Sequence, residues 1–236
     1  MIPIFEPYFI GNETKYINQC LKTKWVSSQG SFVKKFEHRF SKFCDRKYGI
    51  AVSSGTAALE IALKSLNLKN NSEVIIPTFS IISTALCVIK LGLKPVLVDS
   101  DLQNWNMIPE EIIKKINKRT KAIIITHIYG FPVNMQEVLK LAKKKQIRII
   151  EDAAESLGAK YHGKLVGDLG DISCISFNGN KVVTTGGGGA ILTNNEEWAV
   201  RAKNLTTQSK QDSLEYVHDE IGYNYRMNQM GAAVAL

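Results

Sequence analysis

Three features of the sequence predict an α/β fold with a mainly parallel, seven-stranded sheet between layers of helices. Seven short runs rich in apolar and β-branched residues recur along the chain, at 48–53, 73–77, 95–99, 122–126, 147–151, 172–177 and 189–193. Amphipathic segments of helical period separate most of them. The runs are almost uniformly apolar, as strands covered on both faces are. The chain of 236 residues is long enough to bury a proper core. Its 44% hydrophobic content excludes a disordered chain, and 17 Gly with 6 Pro excludes collagen or a low-complexity linker.

In chain order, two helices at 13–21 and 32–43 precede the first strand, joined by a loop that contains Trp25-Val26-Ser27-Ser28-Gln29-Gly30. Further helices are expected at 56–66, 81–91, 110–116 and 135–145, each between two strands. The strands at 172–177 and 189–193 follow each other with only a Gly-rich loop between, so one strand of the sheet is expected to run antiparallel. There is no internal repeat and no evident linker.

Cys20, Cys44, Cys87 and Cys174 are scattered, without a CxxC or a Cys/His cluster. This pattern argues against a disulfide framework or a zinc site and fits a reducing, cytoplasmic setting. The start, Met1-Ile2-Pro3-Ile4-Phe5-Glu6-Pro7, lacks the basic and apolar regions of a signal peptide, and no uncharged apolar stretch is long enough to span a membrane. The net charge of +8 comes from lysines dispersed through helical segments such as 114–119 and 140–145, which read as solvated helix faces. No zinc finger and no basic-aromatic strand supports nucleic-acid binding, so neither nucleic acid nor membrane is an expected partner.

Ligands of open α/β sheets bind beyond the carboxyl ends of the strands. After the first strand comes Ser53-Ser54-Gly55-Thr56-Ala57-Ala58-Leu59, small residues opening a helix. Free N–H groups and the helix dipole there suit a phosphate, and the hydroxyls of Ser54 and Thr56 add donors. Taken alone, an ordinary Ser/Thr N-cap explains the stretch better. The fifth strand ends in Glu151-Asp152-Ala153-Ala154-Glu155-Ser156. A carboxylate at this place suits a metal, a base or a protonated ring nitrogen. A simple turn cap fits Asp152 about as well, and the metal reading lacks further ligands nearby. After the sixth strand, Lys181 sits between the turn Asn178-Gly179-Asn180 and Val182-Val183, ahead of Thr184-Thr185 and four glycines. A lysine sheltered from water suits a Schiff-base nucleophile, because burial disfavours the charged form. A lone loop lysine is more often a surface residue. The glycines lead into a strand and not a helix, which excludes a dinucleotide fingerprint.

Together the phosphate-type loop, the strand-end Asp and the Lys about thirty residues beyond it are the groups that pyridoxal 5'-phosphate requires. With Gly11-Asn12-Glu13, Trp25-Val26-Ser27-Ser28, Pro77-Thr78-Phe79, His127-Ile128-Tyr129-Gly130, Thr184–Gly189 and Tyr223-Asn224-Tyr225-Arg226-Met227, the sequence closely resembles the DegT/DnrJ/EryC1/StrS family of sugar aminotransferases across essentially the whole chain. The resemblance implies a type I PLP-dependent aminotransferase fold. It makes Lys181 the Schiff-base lysine and proton shuttle, and Asp152 the partner of the pyridine nitrogen. Glu155 stands where many members have Gln near the cofactor's 3-hydroxyl, and Phe79 matches the aromatic that stacks on the ring. Gly55, Thr56 and Ser176 match phosphate-site residues, beside the hydroxyl of Ser54. Asn224 matches a phosphate contact given by the partner subunit, which implies a homodimer with a shared active site. Trp25 and Ser27 fall on substrate-side loops. His127 is a substrate contact or, equally, a satisfied structural histidine. No metal is implied. Gly187 replaces a Glu frequent in the glycine loop, with little consequence for activity. A few relatives carry His in place of the lysine and are dehydratases, so Lys181 favours transamination.

The substrate class implied is a nucleotide-linked 4-keto-6-deoxy sugar, aminated at C4 with L-glutamate as donor, for surface polysaccharide. GDP-linked sugars lead, and UDP- and dTDP-linked ones follow. An inactive binding protein that keeps the fold is the alternative of another class. The expected organisation is an N-terminal helical segment with a substrate-side loop at 1–45 and the PLP-binding large domain at 46–236. The chain ends in an apolar helix without a stop signal, so a smaller C-terminal domain is expected to be missing.

Overall fold

The computed structural model describes residues 2–3, 5–212 and 214–236; Met1 and Ile4 of the N-terminal segment lie outside them. Helices α1 (Glu13–Thr23) and α2 (Ser31–Phe43) come first. Strands and helices then alternate: β1 (Tyr48–Val52), α3 (Gly55–Ser65), β2 (Glu73–Pro77), α4 (Ser83–Lys90), β3 (Lys94–Val98), α5 (Pro109–Lys115), β4 (Thr120–Thr126), α6 (Gln136–Lys145) and β5 (Arg148–Asp152). A hairpin of β6 (Lys160–Tyr161) and β7 (Lys164–Leu165) leads to β8 (Ile172–Ser176), β9 (Gly189–Thr193), α7 (Glu196–Thr206) and α8 (Gln229–Val234). The expected strands and helices are present with boundaries shifted by up to two residues. The short hairpin escaped the sequence pattern because two-residue strands carry no periodicity. Helix α7 was not among the expected helices; Asn195, whose Oδ1 accepts the Trp198 N–H at 3.0 Å as an N-cap, is the signal that marks its start.

Seven strands form one sheet in the order β1-β9-β8-β5-β4-β2-β3. β9 is the antiparallel strand, paired with β1 on one side and β8 on the other. The remaining pairs are parallel. The loops after β1, β2, β4, β5 and β8 therefore open on one edge of the sheet, together with the glycine turn that enters β9. Gly189 is required at that entry: a Cβ there would lie 2.6 Å from the Ser54 carbonyl and 2.7 Å from that of Ile175.

The core is layered on both faces. On one, α3, α4 and α7 pack Ala58, Ile61, Val88 and Leu205 against Val52, Ile76, Ile124 and Ile150. On the other, α5 and α6 cover Ile75, Ile123 and Ile149, while α1, α2 and α8 cover Ala51, Ile175 and Ala190. All four cysteines are free and buried, and burial pushes the Cys44 and Cys87 thiols up to about 12. Among the described residues no helix is long and apolar enough to cross a membrane.

Gln229 fastens α8 to the start of α2. Its Oε1 accepts the N–H groups of Phe32 and Val33, both at 3.2 Å, and its own N–H donates to the Ser27 carbonyl at 2.7 Å. These are N–H groups of the first turn, which no intrahelical acceptor reaches. Gln229→Ala leaves both buried without a partner and is expected to cost about 1–3 kcal/mol, read as a lower urea midpoint. Gln229→Glu keeps the acceptor and should recover most of the loss. An unchanged midpoint in the alanine variant would contradict the capping role.

Candidate active site

The edge where the parallel strands end encloses a cavity of about 390 Å³. Ser54, Gly55 and Thr56 reach it from the loop after β1, Asp152 from the end of β5, Ser176 from the end of β8, and Lys181 from the loop beyond. A groove of about 600 Å³ between the 101–110 and 131–136 segments is larger. There Tyr161 Oη donates to Asn134 at 2.7 Å, and Asn106 joins the Phe131 carbonyl to the Ile128 N–H. Asn106, Asn134 and Tyr161 of this groove are engaged in these bonds, whereas the smaller cavity gathers a lysine, a buried carboxylate and hydroxyls at the strand ends.

The strand pleat sends Glu151 and Asp152 to opposite faces of the sheet. Glu151 faces the α6 side, fully buried. It accepts the N–H groups of Gly167 (2.9 Å), Leu169 (2.8 Å) and Gly170 (2.6 Å), touches His127 Nε2 at 3.2 Å and pairs with Arg46 at 3.5 Å. Burial acts to raise its pKa, but the hydrogen bonds from His127, Gly170 and Gly167 outweigh it and hold the carboxyl below its ordinary value. Asp152 faces the α3 side, is 2% exposed, and accepts only the Ala154 N–H at 3.2 Å. Burial, aided by the charge of Glu155, outweighs the Ala154 N–H and the Lys181 ammonium, and its pKa stands at about 6. A buried carboxylate with an unused oxygen is matched to a cation placed beside it.

Lys181 Nζ lies 3.2 Å from Glu155 Oε1, and the other oxygen of Glu155 accepts the Tyr129 N–H at 2.9 Å. One carboxylate thus ties the lysine to the turn after β4. Val182 and Val183, which follow the lysine, are 62% and 42% exposed, so it is the cavity wall and Glu155 that flank the Lys181 side chain.

At the start of α3 the N-cap reading of the serine-glycine stretch is seen directly, and the stretch also faces the cavity. Ser54 is an N-cap, its Oγ accepting the Ala57 N–H at 3.1 Å, and the same helix start opens on the cavity. A Cβ on Gly55 would come within 2.7 Å of Ser176 Cβ, so glycine is what lets the start of α3 approach the end of β8 beside the cavity.

Other expected residues lie outside this cavity. Phe79 packs on Trp105 at 5.1 Å between ring centres. Trp25 is exposed, and the carbonyl of Ser27 is held by Gln229. Asn224 accepts from Arg226 of its own chain at 3.1 Å. Of the two readings of His127, its surroundings favour the structural histidine over the substrate contact. The residue is fully buried, its Nδ1 accepts the Val133 N–H at 3.1 Å, and so Nε2 is left to donate to Glu151. Its role is structural. Sequence reading missed Ser83, which lines the cavity, because the helix expected at 81–91 hid it inside a first turn.

The Asp152 carboxyl is raised from 3.8 to about 6, so the cofactor-free fold keeps its proton where the unfolded chain loses it. Stability from this group is complete below about pH 4 and is lost as pH rises through about 6, a loss on the order of 3 kcal/mol. Asp152→Asn should therefore unfold at higher urea than the parent at about pH 8, with the gap closing near pH 4. A gap that stays constant with pH would refute the assignment.

Comparison with known proteins agrees with this geometry. Residues 8–236 match the model of the DegT/DnrJ/EryC1/StrS aminotransferase family. The chain is similar to GDP-perosamine synthase of Escherichia coli O157:H7, 42% identical over 235 residues, with 100% of this chain and 65% of the relative covered. It is 37% identical to GDP-perosamine synthase of Vibrio cholerae, with 100% and 64% covered. The chain therefore spans a little under two thirds of the length of these relatives. Among solved structures, an aminotransferase from Psychrobacter cryohalolentis superposes with a TM-score of 0.90 at 32% identity, covering 97% of this chain and 61% of that one. A family match over nearly the whole length and more than 30% identity to these relatives lead to one conclusion: the chain belongs to the DegT/DnrJ/EryC1/StrS aminotransferase family.

Proposed function

We propose that this chain binds pyridoxal 5'-phosphate and provides the cofactor-binding part of an aminotransferase. The reaction moves an amino group from L-glutamate to C4 of a nucleotide-linked 4-keto-6-deoxy sugar, with GDP-4-keto-6-deoxy-mannose as substrate and GDP-perosamine as product. The observation that carries the reading is the meeting of Lys181, Asp152 and the start of α3 in one cavity. Identity to proteins named GDP-perosamine synthase supports the choice of sugar. In this reading residues 46–236 are the cofactor-binding large domain and residues 1–45 lie on the substrate side.

The cavity residues fit the cofactor. Asp152 presents a buried, half-satisfied carboxylate suited to keeping a proton on the pyridine nitrogen. Ser54, Gly55, Thr56 and Ser176 would hold the phosphate with the positive end of α3. When bound, pyridoxal phosphate supplies an electron sink that makes the α-proton of an amine removable. Lys181 Nζ would be the amine that holds the cofactor and, as a free amine, would move a proton from and to the reacting carbon. Glu155 holds Nζ in place from one side. Phe79 would stack on the ring, with Trp25 and Ser27 toward the sugar. Asn224 would reach the phosphate from a second copy, so that the active unit is a homodimer.

Adding pyridoxal phosphate to the chain should produce a visible absorption band, and Lys181→Ala should lose both the band and at least about a thousandfold in turnover. Turnover that survives in the variant would sink the lysine assignment. Glutamate alone should bleach the band; a chain that binds the cofactor and takes no amine is a binding protein instead. Product masses from GDP-, UDP- and dTDP-linked 4-keto sugars then decide the nucleotide, with the GDP sugar expected to react fastest.

A further inference from the structure

The sequence marks one helix start at the cavity, that of α3. The structure brings a second. α4 begins at Ser83, which lines the same cavity as Ser54, Gly55 and Thr56. Its Oγ lies 2.8 Å from Thr56 Oγ1. Capping does not account for this hydroxyl, since α4 has no side-chain cap. Two hydroxyls joined in this way hold two hydrogens and use one between them, so one remains to donate outward. Ser176 is also underused. It is 8% exposed and accepts only a long 3.4 Å contact from the Asn178 N–H, and its own hydrogen has no acceptor among the described residues. The first turn of α3, eleven residues long, adds N–H groups, and α3 and the eight-residue α4 both add the positive end of a helix dipole. In α4 the Thr84 and Ala85 N–H groups are already taken by the Ile81 and Ile82 carbonyls, so its contribution is the Ser83 hydroxyl and the dipole.

The same cavity contains Asp152, which is buried and has one oxygen that meets no donor. Hydroxyl donors at two helix starts, N–H donors at the start of α3 and a lone buried carboxylate call for a ligand that carries both an anionic and a cationic group. A phosphate monoester on a protonated pyridine is such a ligand.

We infer that Ser83 is a phosphate-binding residue: with Thr56 and the starts of α3 and α4, it holds the phosphate of the cofactor. This rests on the proposed pyridoxal phosphate site and extends it by a residue and a helix terminus that the strand-end pattern does not mark. A phosphate oxygen accepts the outward hydrogen of the Ser83–Thr56 pair in a charge-assisted hydrogen bond.

The test separates the phosphate from the rest of the cofactor. Pyridoxal phosphate and pyridoxal, which lacks the phosphate, are titrated into the parent chain, Ser83→Ala and Ser83→Thr, with binding followed by absorbance and by the shift in melting temperature. Ser83→Ala should weaken pyridoxal phosphate about tenfold and change pyridoxal by less than about twofold, and Ser83→Thr should restore the parent affinity. The melting temperature of the ligand-free variants reports folding. If Ser83→Ala fails to fold, the same comparison in Ser83→Gly decides. Equal weakening for both ligands, or none for pyridoxal phosphate, overturns the role of Ser83 while leaving the cofactor site intact. A parent chain that binds pyridoxal phosphate no better than pyridoxal overturns the phosphate site itself. No saturable binding of either overturns the cofactor reading, and Ser83 with it.

Discussion

In β5 two neighbouring carboxylates are sent to opposite faces of the sheet by the strand pleat, and their surroundings treat them in opposite ways. Glu151 is saturated: three backbone N–H groups, the His127 ring and the Arg46 guanidinium converge on it. Through these bonds it fixes the 167–170 loop, which leads into β8, and the end of β4. Asp152 is left with a single donor and a cavity in front of it. A buried charge is tolerable when it is fully paired and costly when it is not. The first residue therefore stabilises the scaffold, and the second stores a cost that a cationic ligand can relieve.

The location of the cavity follows from strand direction. Because β1, β5 and β8 all end on one edge, the residues after them meet although they are far apart in sequence. Lys181 follows β8 and sits within reach of Glu155, which follows β5. Glycine makes this crowding possible at two places. Gly55 clears Ser176, and Gly189 passes between two carbonyls as the chain turns back into the antiparallel strand β9.

Much of this was legible as pattern. Strand ends followed by small or reactive residues marked Ser54–Thr56, Asp152 and Lys181 as candidates, the family resemblance added Ser176, and these meet in the cavity. What pattern left open depended on burial. His127 stands at a strand end as a ligand would, but β5 lies alongside and takes up its ring through Glu151. Ser83 was hidden because a hydroxyl in a helix's first turn looks the same whether it faces water or a ligand.

The sequence by itself determined the local elements and the family, because both are carried by short-range periodicity and by motifs in fixed order. Tertiary structure alone decided that β9 is the reversed strand, that Ser83 meets Thr56, and that Asp152 is buried enough to hold its proton to about pH 6. The reason is physical. Propensity and periodicity act over a few residues, whereas strand direction, hydroxyl pairing and desolvation are sums over neighbours that only the folded chain brings together.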